Sequence, residues 1–340
     1  MPQTSSRSAG TGVALAVVSA ATFGTSGTFA TSLIDAGWDP AAAVISRLAM
    51  AALVLTVPAC LQLRRCWPEL RARGPAALRT SALLLVVYGL VAVAGAQFFF
   101  FNALHRLQVG VALLLEYLGT ILVVLWMWLR HGQRPHRLTL AGSVAAFAGL
   151  LLVLGLTGGQ RPDPIGVLWG LGAAVGLAVF FVLSARTEEP LPPVVMTWAA
   201  MAIGALALLA LGAVGALPAR AVFGPVQFAG HRTSWLVPVL GLSLVAAALA
   251  YVAGIAAARR LGATLSSFLG LTEVLFAVLF AWAFLGQLPS AMQLAGGALI
   301  LAGVALVRVG ELRLRQPVEP PTAAPTAPAL RLLANEEPSR

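Results

Sequence analysis

The sequence predicts an all-α integral membrane protein whose ten transmembrane helices form two inverted five-helix repeats. Three observations lead there. The 340 residues are 59% apolar and only 10% charged, with a mean hydropathy of +0.90, whereas soluble chains carry about a quarter charged residues. Ten apolar runs follow one another, each near the length a helix needs to cross about 30 Å of hydrocarbon. Finally, the chain resembles itself at a shift of 154 residues.

The elements follow in order. Residues 1–11 are small and polar, carry Arg7, and read as a cytoplasmic tail. The next run continues past Ser19–Ala21, where a signal peptide would be cut, so it is a retained first span at about 12–34. Further spans are expected at about 40–61, 80–103, 107–129, 138–157, 165–184, 193–215, 235–257, 262–285 and 290–309. Trp38 and Trp235 fall near span ends and are expected in the interfacial aromatic belt. Residues 311–340, with Pro317, Pro320, Pro321, Pro325 and Pro328, cannot build a core and read as a disordered cytoplasmic tail.

Charge tests the span count. All 22 basic residues are arginine, and they collect in alternate connections: Arg64, Arg65, Arg71, Arg73 and Arg79; Arg130, Arg134 and Arg137; Arg186; Arg259 and Arg260; and Arg308, Arg313 and Arg315. The intervening connections hold only Arg106, Arg161, Arg220 and Arg232. By the positive-inside rule both termini are then cytoplasmic, as expected of a multi-pass protein of a bacterial inner membrane. The net charge of +10 is strung out between apolar runs, so it is a topology signal and not a nucleic-acid surface. Cys60 and Cys66 make neither a disulfide framework nor a metal site, and no cofactor or metal is expected.

The 154-residue shift pairs Arg106–Leu107 with Arg260–Leu261, Trp128 with Trp282, Gly132–Gln133 with Gly286–Gln287, Pro135 with Pro289, Ala141–Gly142 with Ala295–Gly296, and Gly149 with Gly303. It also places Gly12–Val13 on Gly166–Val167, giving repeats of 12–157 and 166–310. Each holds five spans, and an odd number forces the second to enter the membrane inverted. Inverted repeats recur in secondary transporters, with the substrate site near mid-membrane at their interface.

The stretches Thr22-Phe-Gly-Thr-Ser-Gly-Thr28, Ser46–Arg47 and Leu-Gly-Gln-Leu-Pro at 285–289, set in two five-span halves, resemble the EamA-type transporters of the drug/metabolite transporter superfamily. The run Val-Ala-Leu-Leu-Leu-Glu-Tyr at 111–117 is similar to the branch that includes threonine and homoserine exporters. The resemblance covers about 12–309. It departs from the usual pattern where Thr120 and Val274 replace prolines, and where Gly132–Gln133 and Gly286–Gln287 replace Gly–Glu. The resemblance implies export of small metabolites or amino acids, often driven by a proton gradient.

Three formal charges lie well inside the spans: Arg47, Glu116 and Glu273. An ionised group at mid-bilayer costs about 2.5–3.5 kcal/mol on insertion scales and marks a site or a partnered helix contact. The shift carries Glu273 onto Gly119, three residues from Glu116, so both carboxylates take similar faces of equivalent helices. Glu116 is the candidate to exchange a proton or hold an amine; the alternative is a protonated glutamate pinning two helices. Glu273 has Thr272, Ser266 and Ser267 at hand as structural partners. Arg47 is expected to bind a substrate carboxylate or to pair with a glutamate, the alternative being snorkelling to the headgroups. Gln97 and Tyr251 are related by the shift and are expected to line a central cavity with Tyr117, while for these and Asn102 an interhelical hydrogen bond is the simpler role. Gly166, Gly170, Gly172 and Gly176 on the sixth span, and Gly142, Gly149, Gly296 and Gly303, read as packing positions.

Two other classes compete. Gly24-Thr-Ser-Gly27 matches an intramembrane serine protease motif, but His105, His131, His136 and His231 fall in loops or helix ends and supply no base. A non-transporting scaffold accounts for ten helices and not for the buried charges. The expectation is therefore a non-enzymatic, proton-coupled secondary transporter working by alternating access on an amino acid or similar small metabolite. Its partners are that substrate, protons and membrane lipid, with no nucleic acid; a homodimer is compatible with the sequence. No nucleotide-binding loop is present to couple ATP.

Overall fold

A computed structural model describes residues 3–119, 121–122, 125–126, 129, 137–153, 162–184, 191–270 and 272–315. Span 1 is Gln3–Asp35 and span 2 is Pro40–Ala72. Span 3 runs through Gly74–Val87, a π-helical segment Tyr88–Gly95 and Ala96–Leu104. Span 4 opens with Val109–Tyr117, and spans 5, 6 and 7 are Arg137–Val153, Pro164–Ser184 and Pro193–Ala213. Span 8 runs through Leu236–Leu240, a π-helical segment Gly241–Leu249 and Ala250–Gly270; spans 9 and 10 are Thr272–Leu285 and Ala291–Arg315. Five of these are long and apolar enough to cross a membrane, and four shorter apolar helices accompany them among the described residues.

Several boundaries differ from the sequence expectation. Span 1 starts at Gln3 and span 2 continues to Ala72, so Arg64, Arg65, Cys66 and Arg71 ride on a helical extension and not in a loop. The break expected near 258–261 is helical, and span 9 begins at Thr272. Propensity favours such extensions, because Ala, Leu and Arg are strong helix formers whether or not lipid surrounds them. Thr120, Trp128, Arg130, His131, Gly132–Gln133, Arg134, Pro135, His136, Arg161, Arg186 and residues 316–340 lie outside the described residues.

Helix pairing joins the halves symmetrically. Span 1 packs on spans 8 and 9, and span 6 on spans 3 and 4; span 2 packs on span 8, and span 7 on span 3. Spans 2 and 7, 4 and 9, and 5 and 10 pair with their own equivalents. Exchanging the two repeats maps this set onto itself, as a two-fold relation between inverted halves requires. The π-helical segments obey the same relation, since the 154-residue shift places 88–95 on 242–249.

The expected small-residue packing is present. Gly142 of span 5 lies against the Gly303 backbone of span 10, and Gly149 against that of Gly296, so the two helices meet main chain to main chain. In span 6, Gly170 receives Leu115, Gly172 receives Phe99 and Gly176 receives Ala96. Without a hydrophobic drive between helices in lipid, such close approach is what dispersion attraction needs.

The connection between spans 7 and 8 adds an element that the sequence reading did not contain. Strand β1 (Pro225–Phe228) pairs antiparallel with β2 (His231–Ser234) around Ala229–Gly230, both at positive φ. Trp38 is not a belt residue: it is 4% exposed, donates Nε1–H to the Val222 carbonyl (2.8 Å), and packs among Phe223 and Trp235. On the same face, Asp163 caps span 6 by accepting from the Ile165 and Gly166 N–H groups, and its other oxygen accepts from Arg106 (2.8 Å). The Arg106 hydrogen bond, with those from the backbone, holds the Asp163 carboxyl below the usual aspartate range.

Two outcomes follow from these contacts. At Gly303 a Cβ would meet the Ala146 nitrogen at 2.6 Å, so Gly303→Val should lower stability by about 1–3 kcal/mol. Gly10→Ala, with nothing within 4 Å and inside a helix, should not lower stability in the same detergent melt. For Asp163 the folded pKa is depressed, so its contribution is present above the unfolded value of about 3.9 and is lost as pH falls through the folded one. The melting difference between wild type and Asp163→Asn should therefore narrow below about pH 4; a constant difference down to lower pH refutes the assignment.

Candidate functional site

The three membrane charges converge on the interface of the repeats. Arg47, placed by span 2, is 1% exposed. Its Nη1 donates to Ser26 Oγ of span 1 (2.5 Å) and to Gln97 Oε1 of span 3 (2.7 Å), and its Nη2 donates to the Ala246 carbonyl of span 8 (2.7 Å). The guanidinium stands 5.8 Å from the Phe101 ring centroid. Snorkelling is thus replaced by an interior site, and the acceptors come from both halves.

Ala246 lies in the second π-helical segment. A π-helix shifts its hydrogen bonds from i+4 to i+5 and so changes which carbonyls are available, one reason such segments accompany functional sites. The Arg47 Nε–H has no hydrogen-bond partner among the described residues. A buried guanidinium whose Nε–H is open can take a further acceptor along that edge.

The two glutamates complete the set of membrane charges. Glu116 is 9% exposed, near the end of the Val109–Tyr117 helix, and interacts electrostatically with Glu273 and Arg47. The direct ion pair considered for Arg47 is not formed: among the described residues the ion pair within 4 Å is Arg106–Asp163. Arg47 instead spends its donors on neutral oxygens, which leaves Glu116 close in field but unbonded to it.

Glu273 of span 9 meets Tyr117 of span 4, whose hydroxyl is 3.1 Å from Glu273 Oε2 and 2.9 Å from the Gly270 carbonyl. Thr272 donates to the Leu269 carbonyl (2.5 Å) and serves its own helix; the side chains of Ser266 and Ser267 lie outside the described set. Gln97 and Tyr251, the pair related by the repeat, interact through their side chains, and Tyr251 packs edge-on against Phe23 at 4.8 Å. Asn102 is turned into its own helix, donating to the Phe98 carbonyl (2.7 Å).

Sequence reasoning named six of these residues and missed three contributors. Ser26 stands out in the sequence only through the Thr22–Thr28 run and the Gly24-Thr-Ser-Gly27 motif, neither of which points to Arg47, whose guanidinium its hydroxyl faces. The Ala246 carbonyl has no sequence signal, because any residue carries one. Phe101 reads as ordinary core.

Comparison with known proteins bears on what such a site serves. The profile of the EamA-like transporter family matches residues 10–155 and again residues 164–309, two matches offset by the same 154 residues as the repeat. An uncharacterized transporter of Archaeoglobus fulgidus is 28% identical over 220 residues, covering 65% of this chain and 73% of its own length. A solved structure described only as the crystal structure of a protein shares the fold, with a TM-score of 0.57 at 22% identity over 90% of this chain and 99% of that one.

The Arg47 network yields a stability test. Gln97→Leu strips a buried charge of one acceptor and should lower the melting transition by about 1–2 kcal/mol, the range for charged hydrogen bonds and polar contacts between membrane helices. An unchanged melt for Gln97→Leu would show that the bond contributes nothing.

Proposed function

The chain belongs to the EamA-like transporter family and is a multi-pass membrane transporter, and from that premise we propose that it exports amino acids or similar small metabolites across a bacterial inner membrane in exchange for protons. The two five-span halves alternate the access of a central site, with both termini in the cytoplasm. Arg47 receives the anionic group of the substrate, and Glu116 receives either its ammonium or the coupling proton. Glu273, Tyr117, Gln97 and Tyr251 complete the lining.

One observation carries this reading. Within hydrocarbon, a guanidinium with an open Nε–H and a carboxylate coupled to it by field, yet not bonded to it, occupy the seam between the repeats. A zwitterion bridging them satisfies both groups at once, whereas two groups kept for stability alone gain most by pairing directly. A proton on Glu116 neutralises it when the substrate leaves, so occupancy by substrate and by proton exclude each other. That exclusion is the minimum an exchanger needs.

The test is flux in sealed vesicles with an imposed pH gradient, screened over a panel of amino acids and their analogues. Concentrative movement should collapse when the gradient is dissipated. Glu116→Gln and Arg47→Ala, in stably inserted protein, should each lower the flux at least tenfold, equivalent to about 1.4 kcal/mol on the limiting step. Wild-type flux in both variants sinks the mechanism, and accumulation that survives loss of the gradient points to a different driving force.

A further inference from the structure

Among the described residues, the connection between spans 7 and 8 breaks the repeat. Its counterpart between spans 2 and 3 is the turn at Arg73–Gly74, whereas here the chain runs from Val214 to Trp235 and carries the β1–β2 hairpin. This segment is fastened to both halves. Toward the first repeat, the Asp39 N–H donates to the Arg220 carbonyl (2.9 Å), the Arg220 N–H donates to Asp39 Oδ2 (2.7 Å), and Trp38 Nε1–H donates to the Val222 carbonyl (2.8 Å).

The aromatic contacts repeat the pattern. Phe228 is stacked between Phe29 of span 1 (5.1 Å) and Phe284 of span 9 (5.6 Å). Phe284 continues into Phe280 and Phe276, a column of stacked rings along span 9. Val226 of β1 is 2% exposed. Phe228 is thus a wedge between one helix of each repeat, at the end of the seam along which Ser26, Arg47 and Glu273 lie further in.

We propose that the hairpin is a strap that holds this face of the transporter closed, and that the Phe228 wedge must leave the gap between Phe29 and Phe284 for this face to open. This rests on the alternating-access reading. Under the orientation proposed above it is the outer face, so the strap governs release of substrate and entry of protons. Among the described residues the device has no equivalent on the opposite face, where the matching connection is the turn at Arg73–Gly74. Opening the two faces therefore breaks different contacts: stacked rings and main-chain hydrogen bonds here, helix packing there.

The experiment uses the full chain with Cys60→Ser, Cys66→Ser and a reporter, Thr28→Cys. Thr28 is 1% exposed and its hydroxyl has no hydrogen-bond partner among the described residues, so the substitution removes no such contact. A charged, membrane-impermeant maleimide added from the hairpin side should label the reporter slowly with the native strap. With Phe228→Ala added it should label about tenfold faster, the order expected when two stacked aromatic contacts are lost together. In a separate arm, without the reporter, Asp39→Cys with Arg220→Cys is oxidised to fasten the strap covalently; flux should stop and return on reduction. Unchanged labelling in Phe228→Ala, or full flux through the oxidised protein, overturns the strap. Those outcomes are read against wild-type flux under the same gradient, so a failure of the exchange mechanism itself, seen as no gradient-driven flux in wild type, is distinguishable. Should Phe228→Ala lose its fold by thermal melt, the cross-linking arm decides alone.

Discussion

The structure depends on how one guanidinium is kept inside hydrocarbon. Arg47 offers five N–H donors and accepts none, and three of those donors meet Ser26, Gln97 and the Ala246 carbonyl. Those acceptors sit on spans 1, 3 and 8, so the bonds that make the charge tolerable also fix where the second repeat stands against the first. Pairing with neutral oxygens in place of Glu116 has a consequence. A direct ion pair would neutralise both groups and close the site on itself, whereas the observed arrangement leaves the carboxylate available to another cation.

Much of the architecture was legible in the sequence because lipid imposes simple rules. A helix in hydrocarbon must be apolar for about 20 residues, and arginine sorts to one side, so span number and repeat could be read directly. The helix ends were less legible: span 2 runs on to Ala72 because Ala, Leu and Arg support a helix in water as well as in lipid. The hairpin was missed for a definite reason. A two-residue turn needs positive φ at both central positions and usually shows Asn–Gly or Asp–Gly; here the pair is Ala229–Gly230, and Ala229 takes φ 53° without the usual side-chain signal.

The candidate site divides the same way. Charges in an apolar background stand out, and Gln97 and Tyr251 emerged from the repeat, so the polar cluster could be named in outline. What it lacked was pairing. Charge alone offers Arg47 a substrate carboxylate or a glutamate, yet the three-dimensional path brings it to a serine, an amide and a main-chain carbonyl. The π-helical segments at 88–95 and 241–249 show the same limit, since nothing in their composition distinguishes them from α-helix. Their recurrence at equivalent positions ties them to packing common to both repeats, which one helix read in isolation does not contain.

Departures from the two-fold relation are as informative as the relation itself. Under the repeat shift Arg47 corresponds to Met201, fully buried in span 7, and Ser26 to Phe180. The charge and two of its acceptors, Ser26 and Gln97, thus belong to the first half, while the second half contributes the Ala246 carbonyl, Glu273 and the hairpin. Two identical inverted halves would make the inward-open and outward-open states equivalent in energy. Replacing a buried cation by methionine on one side, and a bare turn by a fastened hairpin on the other, removes that equivalence. A transporter built this way has its resting state set by its own contacts, and ligands act by shifting that preference through what they bind differently in the two states.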